Sequence, residues 1–199
     1  MYVQGANCQS VQLYKSMTED PNFQKPHAWT EPNFSLDVYD VVFLPGGHDK
    51  GVRQVIDSPV VHKLLAAYFP QTKKPSRKTV VAVCHGVMAL ARARNSDGNS
   101  VLHDVHTTAL PGFMEQSIFW ATRAFLGDYY KTYGAGSESV EQDVKSHLGN
   151  PKIQYHNSLS MGPFIHEDEN YNYISGRFPP DAQLLAEKTI ALVQRNALL

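Results

Sequence analysis

A cysteine, a histidine and a glycine stand side by side at residues 84 to 86, where the β-branched run "TVVAV" gives way to the helix-favouring stretch "HGVMALARAR". A residue on such a sharp strand-to-helix turn is exposed at the top of a sheet, and the N–H of the residue after it can stabilise an oxyanion. Cys84 therefore reads as a nucleophile. A thiol at a helix N-terminus beside an imidazole has its pKa lowered from about 8.5 to roughly 3.5–7.5, so a reactive thiolate is expected. Simple burial is the competing explanation, because free cysteine is among the most buried residue types. The stretch "LPGGHDKG" decides between them: it ends another β run, and its glycines let one backbone approach another closely. In an open α/β sheet, ligands bind at the carboxyl ends of the strands. Gly46, Gly47 and His48 should then face Cys84 across one site, with the N–H groups of His85 and Gly47 as the two oxyanion donors.

Nucleophilic chemistry also needs a base and a group to orient it. His85 is adjacent, although a histidine merely packing at the helix start would look the same. Glu115, just beyond the turn in "LPGFMEQS", is the best-placed carboxylate, with Asp104 as the alternative. An acid in the first turn of a helix is equally common for electrostatic reasons alone. His48 either lines the pocket or is a polar loop residue.

The elements needed to hold these residues can be read along the chain. Residues 1–38 are rich in Pro, Asn, Gln and Ser and read as an irregular lead-in, with at most a helical turn or two around "VQLYKSM". Residues 39–44 form a buried strand. Ser58 and Pro59 start a helix that carries Val61, Leu64, Leu65 and Tyr68 at helical spacing. After the turn "PQTKKPSRK" come the strand and helix that flank Cys84. A short strand to about Leu110 is expected next, then a helix with Ile118, Phe119, Thr122 and Leu126 inward. Ser139 and Gln142 form a capping box for "VEQDVKSHL". "KIQYHN" reads as a strand with "YNYISG" as its hairpin partner, and "PPDAQLLAEKTIALVQRN" closes the domain as a helix. The alternation predicts an α/β fold, a mostly parallel sheet with helices on both faces. Residues 39–199 form one domain in this reading, and neither repeats nor low-complexity segments are seen.

Composition narrows the function classes. With 42% hydrophobic and 19% charged residues the chain is globular in character, and no run approaches the ~18–20 apolar residues of a membrane span. The balance of 18 basic against 19 acidic residues argues against nucleic acid as a partner, since phosphate binding needs a concentrated basic face. The start has neither a charged nor an apolar signal region, so a reducing cytoplasm is the expected setting. Two cysteines make no disulfide framework, and the nine histidines show no zinc-motif spacing, so no metal site is expected.

The stretches "YDVVFLPGGHDKG", "VVAVCHG" and "ISGRFPPDAQLLAEKTI" resemble the glycine loop, nucleophile elbow and closing segment of the ThiJ/PfpI superfamily, flavodoxin-like relatives of class I glutamine amidotransferases. The "GGH" form and the insertion around "TTALPGFMEQS" resemble most the branch of glutathione-independent glyoxalases and stress chaperones. The resemblance implies a flavodoxin-like three-layer α/β/α sandwich and a cofactor-free conversion of methylglyoxal and related reactive carbonyls to D-lactate. Cys84 would add to the aldehyde while His85 and Glu115 move protons. It also implies a small-molecule carbonyl substrate and a homodimer.

One departure bears on activity. The family begins with a hydrophobic strand and a glutamate that hydrogen-bonds the cysteine, whereas here only Glu19 and Glu31, in polar surroundings, precede residue 39. The chain reads as N-terminally truncated relative to the family, with exposed apolar edges and weakened activity expected. A glyoxalase III-type lyase is therefore the first reading. A catalytically impaired stress-response chaperone or redox-sensing paralogue, and a cysteine hydrolase of amides or peptides, are the alternatives.

Overall fold

The short β-branched runs pair into one sheet. In the computed structural model, which describes residues 8–197, the strands are Val41–Leu44 (β1), Thr79–Val83 (β2), Ile165–Glu167 (β3) and Tyr173–Gly176 (β4), in the order β1-β2-β4-β3. β1 and β4 each run parallel to β2, and β3 is antiparallel to β4. The sheet is thus mostly parallel and the fold α/β, as expected from the alternation of elements.

The described residues up to 34 and those from 35 on form separate compact units. In the first, the helices Cys8–Glu19 (α1) and Pro21–Gln24 (α2) bury none of their residues. The 12-residue α1 is longer than the turn or two suggested by its sequence. Asp20 caps α2 by accepting from the Asn22 N–H at 2.8 Å.

In the second unit, Arg53–Ile56 (α3) leads into Pro59–Tyr68 (α4), where the Ser58 side chain accepts the Val61 N–H and Pro59 opens the helix. Gly86–Arg92 (α5) follows β2 directly. Gly112–Leu126 (α6), Val140–Ser146 (α7) and Pro151–Gln154 (α8) fill the stretch before β3, and Ala182–Asn196 (α9) follows β4. Strand alternation divides the core. On one face Val81 and Ile174 pack with Leu185 and Leu192 of α9. Val80 and Ala82 point the other way and are also fully buried, so the opposite face is covered as well; α5 packs on β1 and β2, and α4 on α5. β1 is an edge strand, and its Phe43 is 52% exposed.

Three local expectations are corrected. Residues 105–110 form no strand: Thr107 makes a single bridge to Tyr155, and the segment is tied to β4 by side chains, Thr108 N–H to Ser175 Oγ at 2.9 Å and Thr107 Oγ1 to the Tyr173 hydroxyl at 2.8 Å. "KIQYHN" is not a strand, because Pro151 opens the helical turn α8 and only Tyr155 reaches a β partner. The antiparallel partner of β4 is accordingly β3. In α6, Phe119 is buried as expected, but Ile118 faces outward at 42% exposure, with Glu115 buried one turn before Phe119 instead.

Candidate active site

Cys84 sits between β2 and α5 with φ at +59°, a left-handed conformation that non-glycine residues adopt at a cost of order 1–3 kcal/mol. Its backbone stays tied to the sheet through an N–H bond to the Gly176 carbonyl at 3.0 Å. Two glycines bring the facing loop against this turn. A Cβ on Gly46 would stand 2.6 Å from the Cys84 Cβ, and one on Gly86 would stand 2.3 Å from the Leu44 carbonyl oxygen. No side chain fits at either place, so the β1 loop and the turn at Cys84 close on one another only through glycine.

The Cys84 sulfur lies 3.3 Å from Nδ1 of His85, and the backbone N–H groups of His85 and Gly47 favour its thiolate. Those are the two donors expected of an oxyanion pocket. The protonation state departs from expectation. Burial pushes the thiol up to about 11; the two N–H groups pull it down and the Glu115 charge pushes it further up. His85, 1% exposed, is held at about 4 by burial and by the nearby charges of His48 and Lys131. The pair therefore rests near neutral pH as thiol and neutral imidazole. Desolvation outweighs the two N–H groups in this setting.

Both loops open on a cavity of about 900 Å³ lined by Gly46, Gly47, His48, Cys84, His85 and Glu115, with walls from Leu110, Phe113, Met114, Leu159, Met161 and Phe178. All six residues singled out from the sequence thus share one space. His48 contributes a ring that meets Tyr129 edge-on and lies tilted against Tyr130, with ring centres 4.8 and 4.5 Å away, and burial lowers its pKa. Asp104 does not join them: it is exposed and pairs with His103 at 2.8 Å.

Glu115 is the cavity's only carboxylate among the described lining residues, and it is fully engaged. One oxygen accepts the Val140 N–H at 2.8 Å, and the other forms an ion pair with the wholly buried Lys131 at 3.0 Å. Lys131 escapes sequence reading, since nothing in "GDYYKTYGAGS" marks a buried lysine. Among the described residues no carboxylate is hydrogen-bonded to the Cys84 sulfur; Glu31 is paired with His27 at 2.8 Å.

A second device shapes the wall. Arg177, fully buried, donates to the carbonyls of Ser158, Ser160 and Gly162 and to both oxygens of Asp181, whose carboxylate also accepts the Phe164 N–H. This fork fixes the backbone carrying Leu159 and Met161. Away from the cavity, His106, His156 and His166 converge from distant parts of the sequence.

Residues 1–163 match the model of a family described as ThiJ/PfpI family-like. An uncharacterized protein of Schizosaccharomyces pombe is 26% identical over 190 residues, covering 95% of this chain and 63% of that protein. A second from the same yeast is 26% identical over 199 residues, covering 94% and 58% respectively. The chain thus spans less than two thirds of the curated relatives it matches. Among solved structures, the rapid encystment protein of Francisella tularensis aligns with a TM-score of 0.66 at 17% identity over 90% of this chain and 70% of that one. Glyoxalase III from Candida albicans aligns with a TM-score of 0.58 at 16% identity over 80% and 59%. At such identities these structures speak to the fold alone.

Proposed function

The chain belongs to the ThiJ/PfpI-like family, and from that premise we propose that it is a cysteine-dependent, glutathione-independent enzyme of glyoxalase III type, hydrating methylglyoxal and related 2-oxoaldehydes to D-lactate and its analogues. The observation that carries the reading is Cys84 on its strained turn, with sulfur 3.3 Å from His85 Nδ1 and the Gly47 and His85 N–H groups beside it.

Because the thiol rests protonated, its proton passes to His85 as the sulfur attacks the aldehyde carbon. The C–S bond forms, and the electron pair of the carbonyl moves onto oxygen, where the two N–H groups receive it. A proton then leaves the former aldehyde carbon and another is delivered to the adjacent ketone carbon, with Glu115 as the carboxylate assigned to that transfer. The resulting 2-hydroxyacyl thioester is hydrolysed by water, which restores the thiol. The sum is one 2-oxoaldehyde plus one water to one 2-hydroxy acid, with no oxidant or reductant consumed.

The raised thiol pKa makes the expected rate modest, and it also favours a second reading, a catalytically impaired stress-response chaperone. Enzymatic assay of D-lactate formed from methylglyoxal without glutathione separates the two. Turnover abolished by Cys84→Ala supports the enzyme. Equal turnover by wild type and variant sinks it, and suppressed client aggregation without any D-lactate supports the chaperone.

A further inference from the structure

Three imidazoles meet on the side of the sheet bearing β3, outside the Cys84 cavity. His106 comes from the segment tied to β4, His156 from just beyond α8, and His166 from β3 itself. Nδ1 of His106 lies 2.8 Å from Nε2 of His156, and the His156 and His166 rings stack at 3.9 Å with an 8° tilt. One nitrogen from each of the three lies within 4.8 Å of the other two.

Each ring is carried on anchored backbone. The His106 N–H donates to the buried Asp168 carboxylate at 2.8 Å, the His156 N–H donates to the Thr107 carbonyl at 2.8 Å, and His166 is in register with Ser175 across the β3–β4 pair. One feature of the cluster is unexplained by packing: Nε2 of His166 is buried and has no hydrogen-bond partner among the described residues. Most buried side-chain polar atoms are hydrogen-bonded, so this bare nitrogen is available as a ligand.

We infer that His106, His156 and His166 form a three-imidazole site for a borderline divalent transition metal, with Zn²⁺ as the reference ion. Zinc binds imidazole nitrogen at about 2.0–2.1 Å, so tetrahedral ligand nitrogens lie roughly 3.4 Å apart. Binding requires the three near-parallel rings to turn out of their stack so that one nitrogen of each points at a common ion, and it exchanges the hydrogen bond between His106 and His156 for two metal bonds. The rings are only partly buried, and three imidazoles leave one of zinc's four positions for water or an incoming ligand. Imidazole donors suit Zn²⁺, Cu²⁺ and Ni²⁺, whereas Mg²⁺ and Ca²⁺ require oxygen ligands.

The test is calorimetric titration of Zn²⁺ into the full chain carrying Cys8→Ser and Cys84→Ser, which removes both thiols as competing ligands. One equivalent should bind. Adding His156→Ala and His166→Ala together should weaken binding by about 100-fold or more, whereas His85→Ala in their place should leave it unchanged. The absence of saturable binding, or equal binding by the double histidine variant, overturns the assignment, as does equal affinity for Mg²⁺. Should the double variant not fold, electron paramagnetic resonance of the Cu²⁺-loaded thiol-free chain decides: hyperfine splitting from three imidazole nitrogens supports the site, and an oxygen-dominated spectrum rejects it.

Discussion

Lys131 and Glu115 face each other at 3.0 Å with both side chains almost wholly buried, and the pair stands beside the Cys84–His85 couple rather than within it. The Glu115 charge raises the thiol pKa and the Lys131 charge lowers that of His85, so both members disfavour the thiolate–imidazolium state. Breaking a buried pair costs about 3–5 kcal/mol, because one charge is left uncompensated. Lys131→Met should lower stability by that order in chemical denaturation and move the acid limb of the pH–rate profile upward, since His85 loses a repelling charge. The double change Lys131→Met with Glu115→Gln should recover most of the stability. An unmoved acid limb in the single variant would show that Lys131 acts only structurally.

His85 and Cys84 both make stability depend on pH. His85 has a folded-state pKa of about 4 against an ordinary 6.5, so between those values the unfolded chain binds the extra proton and stability falls as pH drops. The full effect of this single group is about 3 kcal/mol. Cys84 is raised from 9.0 to about 11, so over that window the unfolded chain loses the proton first and stability falls as pH rises. Urea titrations at stepped pH should show both slopes, the acid one reduced in His85→Gln. Alkylation of Cys84 by iodoacetamide should still be accelerating at pH 9; a rate already flat below pH 7 would contradict the raised thiol.

Much of this architecture is legible in the sequence where local and global preferences agree. Ser58 and Pro59 can only start a helix well, the run at 79–83 has few alternatives to a strand, and glycines at 46 and 86 are demanded by the approach of two backbones. The protonation state of Cys84 was not legible. It depends on how deeply the folded chain buries the sulfur and on Glu115, brought to the same cavity from 31 residues further along the chain. The strand expected around Ile153 failed because alternation over four residues also fits a helical turn, and Pro151 selects the turn. The histidine cluster is invisible to motif spacing, with His106 and His156 separated by 50 residues.

The cavity walls predict a preference among substrates. A methyl group leaves most of about 900 Å³ unfilled, whereas an aryl group can bury itself against Leu110, Phe113 and Met161. Burying the larger apolar group is worth about 1.5–3 kcal/mol. Phenylglyoxal should therefore show a kcat/KM roughly 10-fold to 100-fold above that of methylglyoxal, expressed mainly in KM because the ring contacts are made equally before and during reaction. Met161→Ala should narrow the difference. Equal kcat/KM values for the two aldehydes would show that the apolar wall does not meet the substrate.

Arg177 holds the Leu159–Met161 segment by three carbonyl bonds while Asp181 balances its charge. Arg177→Met leaves the Asp181 carboxylate buried without its partner and should cost about 3–5 kcal/mol. Arg177→Lys keeps the charge but has no planar fork to reach all three carbonyls. The lysine variant should therefore retain more stability, yet show faster amide exchange at residues 158–164 and a raised KM for phenylglyoxal. Exchange at 158–164 no faster than wild type in both variants would remove the clamp from the account.

The sharpest steric test lies at Gly86, where an added Cβ would meet the Leu44 carbonyl oxygen at 2.3 Å and the Pro45 carbonyl oxygen at 2.7 Å. Those atoms are backbone, so the clash is relieved only by moving the β1 loop away from Cys84. Gly86→Ala should withdraw the Gly47 N–H from the sulfur and lower kcat by about 10²–10³, the usual loss for one oxyanion donor. The Gly47 N–H also stabilises the thiolate, so the alkylation rate of Cys84 should fall in parallel. Gly98→Ala makes the comparison specific: that glycine has φ at +79° but open space around its missing side chain, the reverse of the steric block at Gly86. It should lose stability through backbone strain without losing kcat. Equal kcat losses in the two variants would mean that Gly86 matters for folding alone and that the two loops do not form a common oxyanion site.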